Sequence, residues 1–254
     1  MSEHDAVAMR RLRTDDRPLW DVMLGVCGYP AMLVAHELKL LELLAETPLS
    51  LDEICVAKGI VRRPAETLLA VCTSLGLIAL TEGRYALTPL SEDYLLPSSP
   101  TYFGWFYDAW RPIYSIWSPD SLRDAVMTDH PQGPFSDPAG ASAAWWAEQA
   151  ANFTRTMHSA SIGPALAWPE GLDLSRHRVM LDVGRGSGAH AIGAVNHWPD
   201  LRAVVLDQPP ICALVRAFAA QYGLSGRISI HSADCFREPF PPADLHFYGM
   251  IFHD

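Results

Sequence analysis

The stretch VMLDVGRGSG, residues 179–188, decides the fold of this chain. It begins with a short apolar run and continues with glycines at alternate positions, a pattern that predicts a buried parallel strand entering a tight turn. At Gly184, Gly186 and Gly188 a side chain would clash in the turn or keep the backbone away from a ligand. The small, apolar residues that follow can start a helix. The stretch therefore predicts the strand, glycine turn and helix that begin a nucleotide-binding α/β unit.

Acidic residues and a histidine follow the predicted strands of this unit. Asp207 ends the second strand candidate, and an acid about 20 residues past a glycine turn is placed to accept hydrogen bonds from ribose hydroxyls. Asp234 follows the third candidate, 228–231, and His253 follows the fourth, 245–252. Ligands bind at the carboxyl ends of the strands in an open parallel sheet, so we expect these side chains to lie at one edge of the sheet.

The region upstream of the glycine stretch predicts a winged helix. Its first helix fits residues 30–45 after a break at Gly28-Tyr29-Pro30, its second begins with a capping box of Ser50 and Glu53, and a hairpin turns at 82–83. The third helix, PAETLLAVCTSLG, contains no Lys or Arg, and the net charge of −10 opposes binding to a phosphate backbone. We therefore expect a structural or dimerising domain and no nucleic-acid partner.

The composition predicts a cytoplasmic protein without a metal site. The 5 cysteines are scattered, odd in number and without CxxC spacing, which indicates reduced thiols. Of the 10 histidines, the nine other than His253 show no metal-ligand spacing. The polar N-terminus has no apolar signal core, and no run of apolar residues is long enough to suggest a membrane span.

Four regions are predicted along the chain. Residues 1–16 form a flexible tail, 17–100 the winged-helix domain, 101–165 a helical region that lines the substrate site, and 166–254 the nucleotide-binding domain. The third region is dense in aromatic residues up to 117, most of which we expect to pack in the core while a subset walls a pocket for a flat, apolar substrate. Residues 118–140 are expected to be mostly loop and 142–161 a helix.

The chain resembles the S-adenosylmethionine-dependent O-methyltransferases of the plant caffeate type and their bacterial relatives in natural-product pathways. The resemblance covers nearly the whole chain and rests on ALTPL, NFTRTMHSAS, LDVGRGSG, LDQPP, ADCF and IFHD. It implies an α/β fold, with a mostly helical winged-helix dimerisation domain and an incomplete class I, Rossmann-like methyltransferase domain whose strands lie in the order 3-2-1-4. It also implies S-adenosyl-L-methionine as cofactor, an aromatic small-molecule substrate and a homodimer.

The same resemblance implies the site residues. The catalytic residues are His253, the general base, and Asp254, which follows it, and the substrate is lined by Phe153 and Met157. The residues that hold the cofactor are Ser161, Asp182, Gly184, Gly186, Gly188, Asp207, Asp234 and Cys235. A sulfonium methyl is already activated, so the enzyme mainly aligns donor and acceptor. A phenol of pKa about 10 needs a base such as histidine, of pKa about 6.5.

Two departures from the family pattern lead to further expectations. Arg185 stands where the family usually has glycine. If its side chain crowds the turn or its charge repels the cationic sulfonium, Arg185→Gly should tighten cofactor binding. The family continues beyond IFHD with further strands and helices, so the resemblance predicts a truncated methyltransferase with weak cofactor affinity and little turnover.

Two other functions remain open. Gly184, Gly186 and Ala189 also fit the GxGxxG/A pattern of an NAD-dependent dehydrogenase, and Asp207 would hold that cofactor's ribose equally well. A non-catalytic cofactor-binding or regulatory protein could use the same fold.

Overall fold

The computed structural model describes residues 13–129, 142–184 and 186–251. The chain divides into two compact units, Met1–Thr88 and Pro89–Asp254. The described part of the first unit, residues 13–88, contains four helices, α1 (Arg17–Glu37), α2 (Leu40–Glu46), α3 (Leu51–Lys58) and α4 (Arg62–Ser74). It also contains a small antiparallel sheet of order β1-β3-β2, formed by β1 (Leu49–Ser50), β2 (Ile78–Thr81) and β3 (Arg84–Leu87).

The predicted capping box, third helix and hairpin are confirmed in this unit. The predicted single helix over 30–45 is wrong, because α1 ends at Glu37, α2 begins at Leu40, and Lys39 between them has a left-handed φ of 50°. Ser50 and Glu53 form a capping box at the start of α3, in which the Ser50 amide donates to Glu53 Oε2 at 2.7 Å and the Glu53 amide donates to Ser50 Oγ at 3.4 Å. The hairpin turns through Glu82 and Gly83, with φ of 51° and 77°. Positive φ at both turn residues is typical of the two-residue turn that matches strand twist.

The predicted break at residues 28–30 is wrong, because α1 runs through Pro30. Gly28 is buried against Leu75, which a Cβ at this glycine would approach to 3.3 Å. Pro30 cannot donate a backbone hydrogen bond, which destabilises a helix interior. Packing of α1 against the end of α4 stabilises the helix by more than this loss, so the helix continues. Helix α1 is long and apolar enough to cross a membrane by length and composition alone. Core helices of soluble proteins and signal sequences meet the same criterion, so this is weak evidence for a membrane span. The expectation of no membrane span stays a prediction.

The second unit begins with helices that precede the sheet and continues with alternating strands and helices. The elements before the sheet are α5 (Pro89–Tyr94), α6 (Gly104–Trp110), a 3₁₀ helix (Arg111–Trp117), α7 (Pro119–Thr128), α8 (Ala143–Ala167) and a short 3₁₀ helix (Trp168–Gly171). The elements that follow are β4 (Val179–Val183), α9 (Ala189–His197), β5 (Arg202–Asp207), α10 (Pro209–Gln221), β6 (Ile228–Ser232) and β7 (Leu245–Phe247).

The four strands of the second unit form a parallel sheet of order β6-β5-β4-β7, which confirms the predicted order 3-2-1-4. Met180, Ala203 and Val205 pack on one face in a core shared with α8, α9 and α10. Leu181 and Leu206 pack on the other face. Burial on both faces explains why the sequences of β4 and β5 consist almost entirely of apolar residues.

Strand β7 is shorter than predicted. It pairs with β4 only from Leu245 to Phe247, and Phe247 pairs with Asp182. Strand β4 ends one residue later, at Val183, where the glycine turn begins. Met250 has φ of 49°, which ends any extended conformation. The strand therefore stops where its partner stops.

The aromatic-rich segment packs in the core less fully than predicted, because Tyr102 and Tyr107 are buried whereas Tyr114 and Trp117 are exposed. Trp105 contacts Phe218 of α10 edge to face at 6.0 Å between ring centroids and lies 5.6 Å from Tyr102. Ser159 of α8 donates to the Tyr102 carbonyl at 2.8 Å. These contacts join the segment after α5 to α8 and α10.

Residues 89–165 belong to the same compact unit as the predicted nucleotide-binding domain. Tyr94 packs on α8 at Gly163, and a Cβ at Gly193 of α9 would overlap the carbonyl of Ala165. Helix α8 thus lies close against α9, and the separate 101–165 region in the predicted scheme stays a functional proposal. Residues 119–128, expected to be mostly loop, form α7, capped by the Ser118 hydroxyl with Pro119 in the first turn.

Candidate cofactor site

The glycine turn between β4 and α9 adopts a conformation that favours glycine. Gly184, Gly186 and Gly188 have φ of 65°, 64° and 69°, in the left-handed region. A Cβ at Gly184 would overlap Ile251 Cδ1, and one at Gly188 would lie 3.1 Å from Val205 Cγ2. The turn therefore requires glycine for its backbone and, at two positions, for space. Arg185 lies outside the described residues.

Asp182 supports this turn from below. Its side chain is fully buried, and Oδ2 accepts a hydrogen bond from the Ala191 amide at 3.2 Å, in the first turn of α9. A carboxylate at a helix N-terminus is favoured by the helix dipole. This geometry indicates that Asp182 holds strand, turn and helix together.

Asp207, at the end of β5, lies directly beside the turn. Its Oδ2 accepts from the Gly186 amide at 2.7 Å, and its Oδ1 accepts from the Gln208 amide at 2.7 Å. Burial raises the pKa of the Asp207 carboxyl, and the two backbone hydrogen bonds oppose that rise. Each carboxylate oxygen retains a further acceptor position, which a ribose hydroxyl can use.

Asp234 and Cys235 follow β6 at the same edge of the sheet. The Ala233 amide donates to the Asp207 carbonyl at 3.2 Å, so this segment lies next to the end of β5. Asp234 Oδ1 accepts from the Phe236 amide at 2.9 Å, and Oδ2 lies 3.4 Å from Arg237 Nε. Cys235 is a half-buried free thiol that packs on the apolar cluster beneath. The sheet thus brings both residues close to Asp207.

Helix α8 carries the other predicted site residues. Ser161 is buried, Met157 is half-buried and Phe153 is exposed. The residue of α8 that approaches the glycine turn is Thr154, which the sequence analysis did not select. A Cβ at Gly186 would lie 3.7 Å from Thr154 Cγ2 and 3.8 Å from Thr154 Oγ1. Thr154 and Ser161 are seven residues apart and share a helix face, but periodicity alone does not show what that face contacts.

A buried polar network holds α8 one turn below Thr154. His158 Nε2 lies 2.9 Å from Tyr222 Oη, and the Tyr222 hydroxyl donates to the Pro100 carbonyl. The His158 ring stacks on Phe218 with centroids 3.8 Å apart. Burial lowers the pKa of His158 to about 4 and raises that of Tyr222 to about 12. Because the Tyr222 proton goes to Pro100, the neutral His158 ring donates through Nε2.

His253 and Asp254 lie outside the described residues, so the general base stays a prediction. Within residues 13–129, 142–184 and 186–251, no group of three or more His, Cys, Asp or Glu side chains could hold a metal ion. The site that the structure assembles is therefore built from the glycine turn, Asp207, the segment after β6 and Thr154.

Comparisons with known proteins agree with this geometry. Residues 119–254 match the sequence model of the O-methyltransferase domain, and residues 20–97 match that of the O-methyltransferase dimerisation domain. The chain is 34% identical over 239 residues to 3-hydroxy-5-methyl-1-naphthoate 3-O-methyltransferase of Streptomyces sahachiroi, covering 93% of this chain and 68% of that protein. It is 28% identical over 236 residues to the tetracenomycin polyketide synthesis 8-O-methyltransferase of Streptomyces glaucescens, covering 89% of this chain and 66% of that protein.

A solved structure shows the same arrangement of elements. Human N-acetylserotonin methyltransferase in complex with S-adenosylmethionine matches with a TM-score of 0.72 and 26% identity, over 96% of this chain and 74% of that one. Both the helices and small sheet of the first unit and the glycine turn of the second therefore lie in regions that match domains of one family. The chain belongs to the O-methyltransferase family.

Proposed function

We propose that the chain binds S-adenosylmethionine over the glycine turn and transfers its methyl group to a hydroxyl of an aromatic or polyketide-like small molecule. The observation that carries this proposal is the hydrogen bond between Asp207 Oδ2 and the Gly186 amide, which joins the acid that would bind the ribose to the glycine turn. The naphthoate and tetracenomycin methyltransferases among the relatives support this class of substrate.

The described residues fit an adenosine-containing cofactor. The turn presents backbone without side chains at Gly184, Gly186 and Gly188, and it leads into the N-terminus of α9. Asp207 would accept from the ribose hydroxyls, while Asp234 and Cys235 would flank the adenine next to β6. The bound cofactor supplies an activated sulfonium methyl. The chain's own task is to orient it and to keep water away.

The acceptor would lie along α8. Phe153 and Met157 are four residues apart, so they form one apolar strip on this helix that can contact an aromatic ring. His253 would take the proton of the acceptor hydroxyl, supported by Asp254, because a neutral imidazole is a suitable base near neutral pH. A cytoplasmic location remains part of this proposal.

The dehydrogenase alternative has lost its support, since the matched family models describe methyltransferase domains on both units. A non-catalytic protein on the same fold is distinguished from an enzyme by turnover. The test is transfer of a radiolabelled methyl group from S-adenosylmethionine to a panel of hydroxylated naphthoates and other phenols. We expect labelled product with at least one aromatic acceptor.

Binding tests the cofactor site separately from turnover. We expect calorimetric titration to show binding of S-adenosylhomocysteine and none of NAD. Asp207→Asn should weaken this binding by about 1–3 kcal/mol, because asparagine has one acceptor oxygen where aspartate has two. Asp200→Asn is the matched control, since this exposed acid precedes β5 at the opposite end of the strand. NAD binding without a response to S-adenosylhomocysteine would overturn the proposal.

A further inference from the structure

Thr154 carries a buried hydroxyl that the fold leaves unsatisfied. The residue is 1% exposed, and its Oγ1 has no hydrogen-bond partner among the described residues. A threonine inside a helix usually satisfies its hydroxyl at the carbonyl four residues before. Thr156 does so, donating to the Asn152 carbonyl at 2.9 Å. Because a buried polar group without a partner costs free energy, the Thr154 hydroxyl is expected to have a role.

The hydroxyl and the methyl group of Thr154 both approach the middle of the glycine turn. The distance from the hydroxyl oxygen to the position of a Cβ at Gly186 is 3.8 Å, and the Gly186 amide is held by Asp207. Gly186 has no side chain to lie between the backbone and Thr154. A ligand group that lies at Gly186 would therefore meet the Thr154 hydroxyl as well as the backbone.

The order of the strands indicates which part of the cofactor lies there. Asp207 ends β5, and Asp234 and Cys235 follow β6, the neighbour of β5 on the side away from β4. With the ribose at β5 and the adenine toward β6, the remaining part of the cofactor extends in the opposite direction, over β4 and its glycine turn. This part is the amino-acid end, with an ammonium and a carboxylate group.

We infer that Thr154 is a cofactor-binding residue whose hydroxyl pairs with the amino-acid end of S-adenosylmethionine. The inference rests on the proposed function. A hydroxyl can donate to a carboxylate and accept from an ammonium, so either charged group satisfies it. Since Oγ1 is closed to solvent, binding would require the contact between Thr154 and Gly186 to open. The hydroxyl then gains the partner that the ligand-free protein lacks.

Two ligands and three variants test this inference by calorimetry. S-adenosylhomocysteine carries the amino-acid end, and 5′-methylthioadenosine lacks both of its charged groups. Thr154→Val removes the hydroxyl at nearly constant volume and should weaken S-adenosylhomocysteine binding about tenfold while changing 5′-methylthioadenosine binding less than about twofold. Thr154→Ser, which keeps the hydroxyl, and Thr156→Val, the control on the same helix, should bind both ligands like the parent.

Thermal unfolding gives a readout without ligand. Thr154→Val should raise the midpoint of the free protein, because it removes an unpaired buried hydroxyl, whereas Thr156→Val removes one that is satisfied. Equal affinity of Thr154→Val and parent for S-adenosylhomocysteine would overturn the inference, as would an equal loss for both ligands. A parent that binds neither ligand would instead overturn the proposed function, and the inference with it.

Discussion

Gly188 shows how two constraints can meet in one residue. Its φ of 69° is unfavourable for a side chain, and a Cβ would lie 3.1 Å from Val205 Cγ2 and 3.3 Å from Val215 Cγ1. Gly223, after α10, has nearly the same φ of 70°, yet a Cβ there meets nothing within 4 Å. The two glycines share the backbone constraint and differ in the space around them.

Alanine at these two positions separates the constraints. Gly223→Ala should lower the free energy of unfolding by about 1–2 kcal/mol, the cost of the left-handed conformation. Gly188→Ala should lower the free energy of unfolding by about 1–3 kcal/mol more than Gly223→Ala does, because the added methyl group would crowd two core valines. Urea denaturation of both variants measures the difference. Equal losses would mean that the valines move aside without cost.

Among the elements, α8 connects the site to the core. Its buried face carries Thr154, His158, Ser161 and Ala165 at intervals of four, three and four residues. Thr154 meets the glycine turn, His158 meets α10 and Ala165 meets α9. One helix face therefore positions the end of the site nearest β4, and the burial of His158 gives that face a dependence on pH.

The stability of the second unit should decrease as the pH falls from about 6.5 to about 4. Burial lowers the pKa of His158 to about 4 from the usual 6.5, so below pH 6.5 the unfolded chain binds a proton that the folded chain excludes. The loss should reach about 3 kcal/mol near pH 4 and level off just below that pH.

Comparison of the parent with His158→Gln isolates this contribution. Glutamine is neutral throughout this range and offers Tyr222 a donor in place of the imidazole Nε2. The free energy of unfolding, measured by denaturant titration at several pH values, should fall less steeply in the variant between pH 6.5 and 4. A parallel fall in both proteins would show that His158 does not contribute.

At the scale of the whole molecule, α1 presents an uncovered apolar surface. Leu19, Val22, Met23 and Val26 recur at the spacing of one helix face, and each is more than half exposed. The segment lies within the match to the O-methyltransferase dimerisation domain. We propose that a second copy of the chain covers this face.

A charge on this face should disrupt the dimer. We expect the parent to be a dimer by light scattering at micromolar concentration and Val22→Asp to be a monomer, because a buried unpaired carboxylate is costly. Val56→Asp is the control, since Val56 is exposed in the same unit but lies on α3, outside the α1 face. Dissociation by both variants to the same extent would point to general destabilisation, and a monomeric parent would contradict the dimer.

Local signals were sufficient for many elements and misleading for a few. The capping box of α3 and the turn at Glu82–Gly83 depend on neighbouring residues, and both were predicted correctly. Pro30 suggested a break that packing against α4 prevents. The length of β7 depends on where β4 ends. Predictions failed where a distant element decides whether a local preference prevails.

The sequence by itself determined the glycine turn and the strands that surround it, because buried apolar runs and glycines in sequence specify backbone conformation locally. The order of the strands followed from the resemblance to the family. The sequence also indicated Asp207 from its spacing. Only the tertiary structure decided that the Asp207 carboxylate binds the Gly186 amide and that Thr154 faces the same glycine. These contacts depend on how α8 packs against α9 and the turn, and helix periodicity defines a face without naming its partner.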